Sequence, residues 1–111
     1  MTKRDTLSEL EEIVLLAVMR LGSDSYGVTI RREIEERTGR DLSLGAIYPT
    51  LDRLEDKGLV SSWRGEPTGK RGGRSRRHFR LESGGHAALL RSRELVAAMW
   101  EGFEPESDVS A

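Results

Sequence analysis

Cysteine, asparagine and glutamine are all absent from this 111-residue chain. Without cysteine there can be no disulfide, no thiolate metal site and no cysteine nucleophile, which suits a reducing cytoplasm. The only imidazoles, His78 and His86, lie eight residues apart with no thiol to complete a metal site, so no metal or other cofactor is expected. Aromatic residues make up 5% of the chain, and the longest apolar run, Ile13 to Met19, is far short of a membrane span. The start, MTKRDTLSELEE, lacks the basic-then-apolar order of a secretory signal, so a soluble cytoplasmic protein with no membrane partner is expected. Neither sign of charge dominates: eighteen Lys and Arg face nineteen Asp and Glu, which excludes a uniformly basic body. At this length there is room for one compact domain with a modest core.

What is present is patterned. Leu10, Ile13, Val14, Ala17, Val18 and Leu21 follow helical spacing, and Leu15, Leu16 and Met19 widen the stripe, so a first helix is expected from about Leu7 to Leu21, buried on two sides. Gly22-Ser-Asp-Ser supplies stop, turn and N-cap signals, and Tyr26, Ile30 and Ile34 mark the inner face of a second helix ending at Thr38-Gly39. Ser43 can cap a third helix with inner residues Ile47, Leu51 and Leu54, closing at Lys57-Gly58. Pro49 removes the bond to the Gly45 carbonyl, so the first turn is expected to be loose.

From Leu59 the period changes. Leu59 to Arg64 and Arg77 to Leu81 read as two short strands, joined by a loop too long for a tight hairpin and rich in glycine and arginine. Ser83 or Glu82 is placed to cap a last helix, roughly His86 to Glu101, whose apolar seam wants another helix to pack on. The tail from Glu104 to Ala111 is short and acidic. Three helices, two strands and a final helix are the order of a winged helix-turn-helix with a helical extension, a mainly α fold of the α+β kind. The expected organisation is a DNA-binding domain over 1–83, a dimerisation helix over 84–103 and a flexible tail over 104–111.

Three segments carry a resemblance: Tyr26-Gly-Val-Thr-Ile, then Leu42-Ser-Leu-Gly-Ala-Ile-Tyr-Pro-Thr-Leu-Asp-Arg-Leu-Glu-Asp-Lys-Gly-Leu, then Gly72-Gly-Arg-Ser-Arg-Arg-His-Phe-Arg-Leu. Together they closely resemble the PadR family of transcriptional regulators, over about Leu7 to Trp100, and Ser43-Leu-Gly-Ala-Ile-Tyr-Pro-Thr-Leu is the most specific stretch. The resemblance implies a homodimeric DNA-binding repressor in its short form, with the terminal helix as dimer element and, in some members, a small molecule held at the dimer interface. Three positions depart from the family pattern: Ala46 stands where Thr or Ser is usual, Glu82 where a capping Thr is usual, and His78 where Tyr is commoner.

The charge, resolved along the chain, is divided. Between Arg64 and Arg80 the net charge is +6, and the remainder carries −7, so one cationic wing stands on an acidic body. The wing's Lys70, Arg71, Arg74 and Arg76 are the expected DNA contacts, with Arg74 and Arg76 reaching a narrow minor groove. Arg31 and Arg32 of the second helix are expected on phosphates. Without Asn or Gln the amide pairing to adenine is lost, so the third helix is expected to read bases through Arg53, through the hydroxyl of Thr50 and through methyl contacts of Thr50 and Ala46, with Tyr48 and Pro49 toward the backbone. Paired modules would span an inverted repeat in double-stranded DNA.

Leu15, Met19, Leu89, Ser92, Leu95, Val96 and Met99 are the expected dimer contacts. Some multidrug-sensing relatives stack flat ligands on a Trp of the last helix, so Trp100, with Met99 and Phe103, is the candidate site for a small aromatic effector. No enzyme is expected: Gly65-Glu-Pro-Thr-Gly-Lys-Arg misses a phosphate-binding loop by one residue of spacing and by its last residue. The rival reading is a winged-helix protein-interaction module that has given up DNA, whose mark would be loss of the basic wing.

Overall fold

The computed structural model describes residues 6–65 and 76–103. Its order is α1 (Glu9–Leu21), α2 (Gly27–Thr38), α3 (Leu44–Asp56), β1 (Val60–Arg64), β2 (Arg77–Leu81) and α4 (Ser83–Trp100), with a single 3-10 turn, Gly22–Asp24, between α1 and α2. The winged helix-turn-helix order is therefore present as expected, with element ends shifted by a few residues.

Each start has a chemical reason. Ser8 caps α1 by accepting from the Glu11 N–H, and the Glu11 carboxylate accepts in return from the Ser8 N–H at 2.9 Å, a reciprocal capping box. Ser43 caps α3 by accepting from the Ala46 N–H. Ser25, expected to cap α2, instead lies buried with its hydroxyl on the Val18 carbonyl, and the cap falls at Tyr26, whose N–H donates to the Thr29 hydroxyl at 3.0 Å. Pro49 sits inside α3 without ending it: the helix runs unbroken because only the bond to Gly45 is forfeited, on the exposed side.

The start of α4 also differs from expectation. Glu82 is the N-cap residue through its carbonyl, which accepts from the N–H groups of Gly85 and His86. Its carboxylate does not cap, because it accepts from the Ser61 hydroxyl of β1, and Ser83 is already helical. Gly85 lets α4 press onto the strands: a Cβ there would run into the Leu59 carbonyl oxygen and lie 2.6 Å from Leu81 Cδ1.

The sheet is antiparallel, from Val60 opposite Leu81 to Arg64 opposite Arg77. On its other edge β2 meets the entry to α2: Tyr26 bridges His78, and the Phe79 N–H donates to the Ser25 carbonyl at 2.9 Å. This third edge, which ties the wing to the helix-turn-helix, carries no periodic signal in the sequence. Val14, Leu15 and Val18 of α1, Ile30 and Ile34 of α2, Ile47, Leu51 and Leu54 of α3, and Phe79 of β2 close one core. Of α4, Gly85, Ala88 and Leu89 are buried, Ala87 and Ser92 are half-buried, and beyond Ser92 the helix is exposed.

Candidate nucleic-acid interface

One concave surface of about 680 Å³ gathers four arginines beside the helix-turn-helix. It is lined by Tyr26, Val28 and Arg32 at the start of α2, Tyr48 of α3, and Arg64, Arg76 and Arg77 at the base of the wing. Close packing sets its floor. Tyr48 lies so tightly over Gly27 that a Cβ on Gly27 would collide with the phenol oxygen. The second-helix Tyr-Gly pair and the third-helix tyrosine are thus one structural unit, which holds α3 against the N-terminal turn of α2.

The wing base is built as alternating cations and rings. The Arg76 guanidinium lies 4.6 Å from the centre of the Tyr26 ring, Tyr26 meets His78 edge-on at 5.3 Å, His78 stacks with Trp63 at 5.4 Å, and Arg80 covers Trp63 at 5.3 Å. Each cation held over a ring face contributes about 0.5–1 kcal/mol at exposed sites. Two strands carrying such a ladder present Arg76 toward the α2 entry. Tyr26, read from the sequence as an inner-face residue, is half-buried and serves the ladder instead.

The residues expected to touch DNA separate into groups. Arg32 lines the concavity, whereas its neighbour Arg31, about 100° round the helix, bonds to Asp41 at 3.2 Å. Lys70, Arg71 and Arg74 lie outside the described residues. Ala46 and Tyr48 are half-buried, and Pro49 is exposed. Thr50 corrects the sequence reading: it is completely buried, its hydroxyl donates to the Ala46 carbonyl at 2.8 Å and accepts from Arg53, and it has no face to offer a base. The reason is rotation. Position 50 shares the core face of α3 with Ile47, Leu51 and Leu54, leaving Gly45, Tyr48, Pro49, Asp52, Arg53 and Asp56 as the outer stripe.

Arg53, although 53% exposed, leans toward α1. It reaches Glu11 of α1 at 3.5 Å, and the Lys57 ammonium donates to both Glu11 oxygens at 3.0 and 3.1 Å. Burial pushes the Glu11 carboxyl up, but the Ser8 N–H, Lys57 and Arg53 outweigh it and hold it below the ordinary glutamate value. At the other edge of α3, Arg77 of β2 donates to Asp52 at 3.0 Å and to Glu55 at 2.6 Å. Burial works against that guanidinium's charge, and the two carboxylates more than compensate, raising its pKa. Neither carboxylate pairing has a spacing rule that would reveal it in the sequence.

A second surface involves the projecting helix. Glu12, Leu16 and Met19 of α1 face His86, Leu89, Leu90, Arg93, Val96, Ala97 and Trp100 of α4 across a cleft of about 530 Å³. Leu95, Val96, Met99 and Phe103 are exposed on or just beyond α4, and Ser92 is half-buried. Two of the expected dimer contacts need correction: Leu15 is fully buried among the chain's own helices and Leu89 nearly so, and Leu16 takes the outward position because it lies one residue round from the core stripe. Met99 and Phe103 are each 80% exposed and do not line the cleft, whereas Trp100 of the expected effector trio does. Among the described residues no helix is long and apolar enough to cross a membrane, and no cluster of His, Cys, Asp and Glu could hold a metal.

A helix-turn-helix with a two-stranded wing, a cationic hollow between them and a projecting terminal helix defines a winged-helix transcription regulator. The chain belongs to the transcriptional regulator PadR-like family, whose model matches residues 15–91. It is similar to RosR of H. salinarum, with 26% identity, a TM-score of 0.63, and coverage of 92% of this chain and 82% of that one. A PadR family transcription regulator from Clostridium difficile R20291 shares the fold, with a TM-score of 0.69 at 20% identity over 88% of this chain and all of that one. Among curated proteins it is 33% identical over 57 residues to the transcriptional activator GvpE of Haloferax mediterranei, 51% of this chain. The chain spans only 29% of that relative's length. Members of the family are transcription regulators, not enzymes.

Proposed function

We propose that this chain is a sequence-specific double-stranded-DNA-binding regulator that acts as a homodimeric repressor on an inverted repeat. The observation that carries the reading is the cationic hollow formed by Arg32, Arg64, Arg76 and Arg77 between the α2 entry and the wing. A phosphate backbone crossing there meets three separate elements, which sets the register of α3 in the neighbouring major groove. Between the two strands the sequence adds Lys70, Arg71 and Arg74 to the wing's charge, while the net −7 of the remainder disfavours DNA elsewhere.

Dimerisation through α4 is supported by its exposed large apolar side chains, Leu90, Leu95, Val96, Met99 and Trp100, together with Leu16 and Met19 of α1, since exposed apolar side chains gathered on one helix mark an interaction surface. Two copies related by a two-fold would set their α3 helices about one DNA turn apart. The cleft beside Trp100 offers a flat aromatic effector one ring to stack on, and occupation there would alter the α1–α4 angle on which that spacing depends. The test is selection of bound genomic fragments followed by footprinting and a promoter fusion. Protected half-sites about ten base pairs apart, with reporter output rising when the gene is deleted, are expected. Failure to prefer any duplex over random sequence refutes sequence-specific binding, and output falling on deletion refutes repression.

A further inference from the structure

The outer stripe of α3 has one cation, Arg53, and its guanidinium is drawn off toward α1. Arg53, though 53% exposed, reaches Glu11 at 3.5 Å and donates to Thr50, Lys57 is turned to Glu11, and the rest of the stripe, Gly45, Tyr48, Pro49, Asp52 and Asp56, carries two carboxylates. Asp52 lies in the middle of its length, is 57% exposed, and joins the cationic hollow through its 3.0 Å contact with Arg77. A carboxylate entering the major groove of a polyanion is repelled by the phosphates, and Arg77, shared with Glu55, offsets this only in part. The repulsion is compensated only where a base edge presents an N–H donor; of the two amino groups in the major groove, cytosine N4 suits a carboxylate, because adenine N6 has the N7 acceptor beside it.

We infer that Asp52 is a specificity-determining residue that selects cytosine at one position of each half-site and disfavours DNA lacking it. The inference rests on the DNA-binding reading above. Glu55 keeps Arg77 in place at 2.6 Å, so Arg77 remains docked when Asp52 is engaged by a base or removed. Arg77 is thereby the hinge point between wing and α3, and Asp52 is the group it leaves partly free. The arrangement also divides the work: the wing and the hollow supply attraction common to all DNA, and α3 supplies discrimination by penalty.

The experiment compares wild type, Asp52→Ala and Arg77→Gln in selection from randomised duplexes and in titration against a random duplex. Wild type is expected to select cytosine at one symmetric pair of positions, with a preference of roughly 5- to 150-fold over the other bases. Asp52→Ala is expected to lose that preference while binding the random duplex severalfold more tightly, and Arg77→Gln to keep the preference while binding everything more weakly. An unchanged cytosine preference in Asp52→Ala, or no selected cytosine in wild type, overturns the assignment alone. A wild type that binds random and selected duplexes equally overturns both this assignment and sequence-specific binding.

Discussion

Replacing Glu11 by glutamine removes one charge from a nearly buried site while keeping an oxygen that can still accept from the Ser8 N–H. The cost is the loss of Lys57 and Arg53 as partners. Removing one member of a fully buried pair costs about 3–5 kcal/mol. Here Glu11 is 7% exposed but Lys57 is 21% exposed and can swing to water, so about 1–2 kcal/mol is expected at pH 7. The charge has a second signature. Because the folded carboxyl lies below its ordinary value, its contribution is present above the unfolded pKa of about 4.3 and is lost as pH falls through the folded value. Urea unfolding of wild type and Glu11→Gln at a series of pH values separates the two. The curves should stand apart at pH 7 and converge in acid. Equal stability at pH 7, or a gap that persists unchanged to the acid limit, would refute the assignment of the carboxylate as the tie between α1 and α3.

Gly85→Ala should cost roughly 1–3 kcal/mol of unfolding free energy, because the added methyl meets the Leu59 carbonyl and Leu81; a thermal melt unmoved from wild type contradicts that packing. Arg32→Ala and Arg76→Ala should each weaken binding to all duplexes alike and reduce the log–log salt slope by about 0.9, measured by anisotropy at several salt concentrations. Thr50→Val should lower stability by about 1 kcal/mol with the selected DNA sequence unchanged, since its hydroxyl serves Ala46 and Arg53 inside the domain. Val96→Glu should shift sedimentation toward monomer while leaving the far-ultraviolet spectrum in place, and a variant that remains dimeric rules out α4 as the interface.

The architecture was legible because each of its parts leaves a local mark. Apolar spacing disclosed α1 and α3, Ser43 and Gly58 bounded the third helix, and the change of period at Leu59 announced the strands. The segment Ser43-Leu-Gly-Ala-Ile-Tyr-Pro-Thr-Leu named the family. What was not legible depended on which way a side chain turns. Thr50 and Pro49 are neighbours in sequence, yet one is buried and the other exposed, because successive helical residues point about 100° apart and the phase is set by packing. Likewise Leu15 and Leu16 look interchangeable in a wide apolar stripe, and only the placement of α2 and α3 decides which one is interior.

The sequence by itself determined the class of protein, the division of +6 on the wing from −7 elsewhere, and a chemistry of recognition without amide side chains. Those follow from composition and local order, which do not depend on how elements meet. The tertiary structure decided how the basic residues are used. It gave Arg53 and Lys57 to Glu11 and Arg77 to Asp52 and Glu55, and it left Arg32 and Arg76 beside Tyr26 and Tyr48 in the hollow. The physical reason is that a charge is assigned by its nearest opposite in space, and Glu11 and Lys57, whose side chains touch, are forty-six residues apart along the chain.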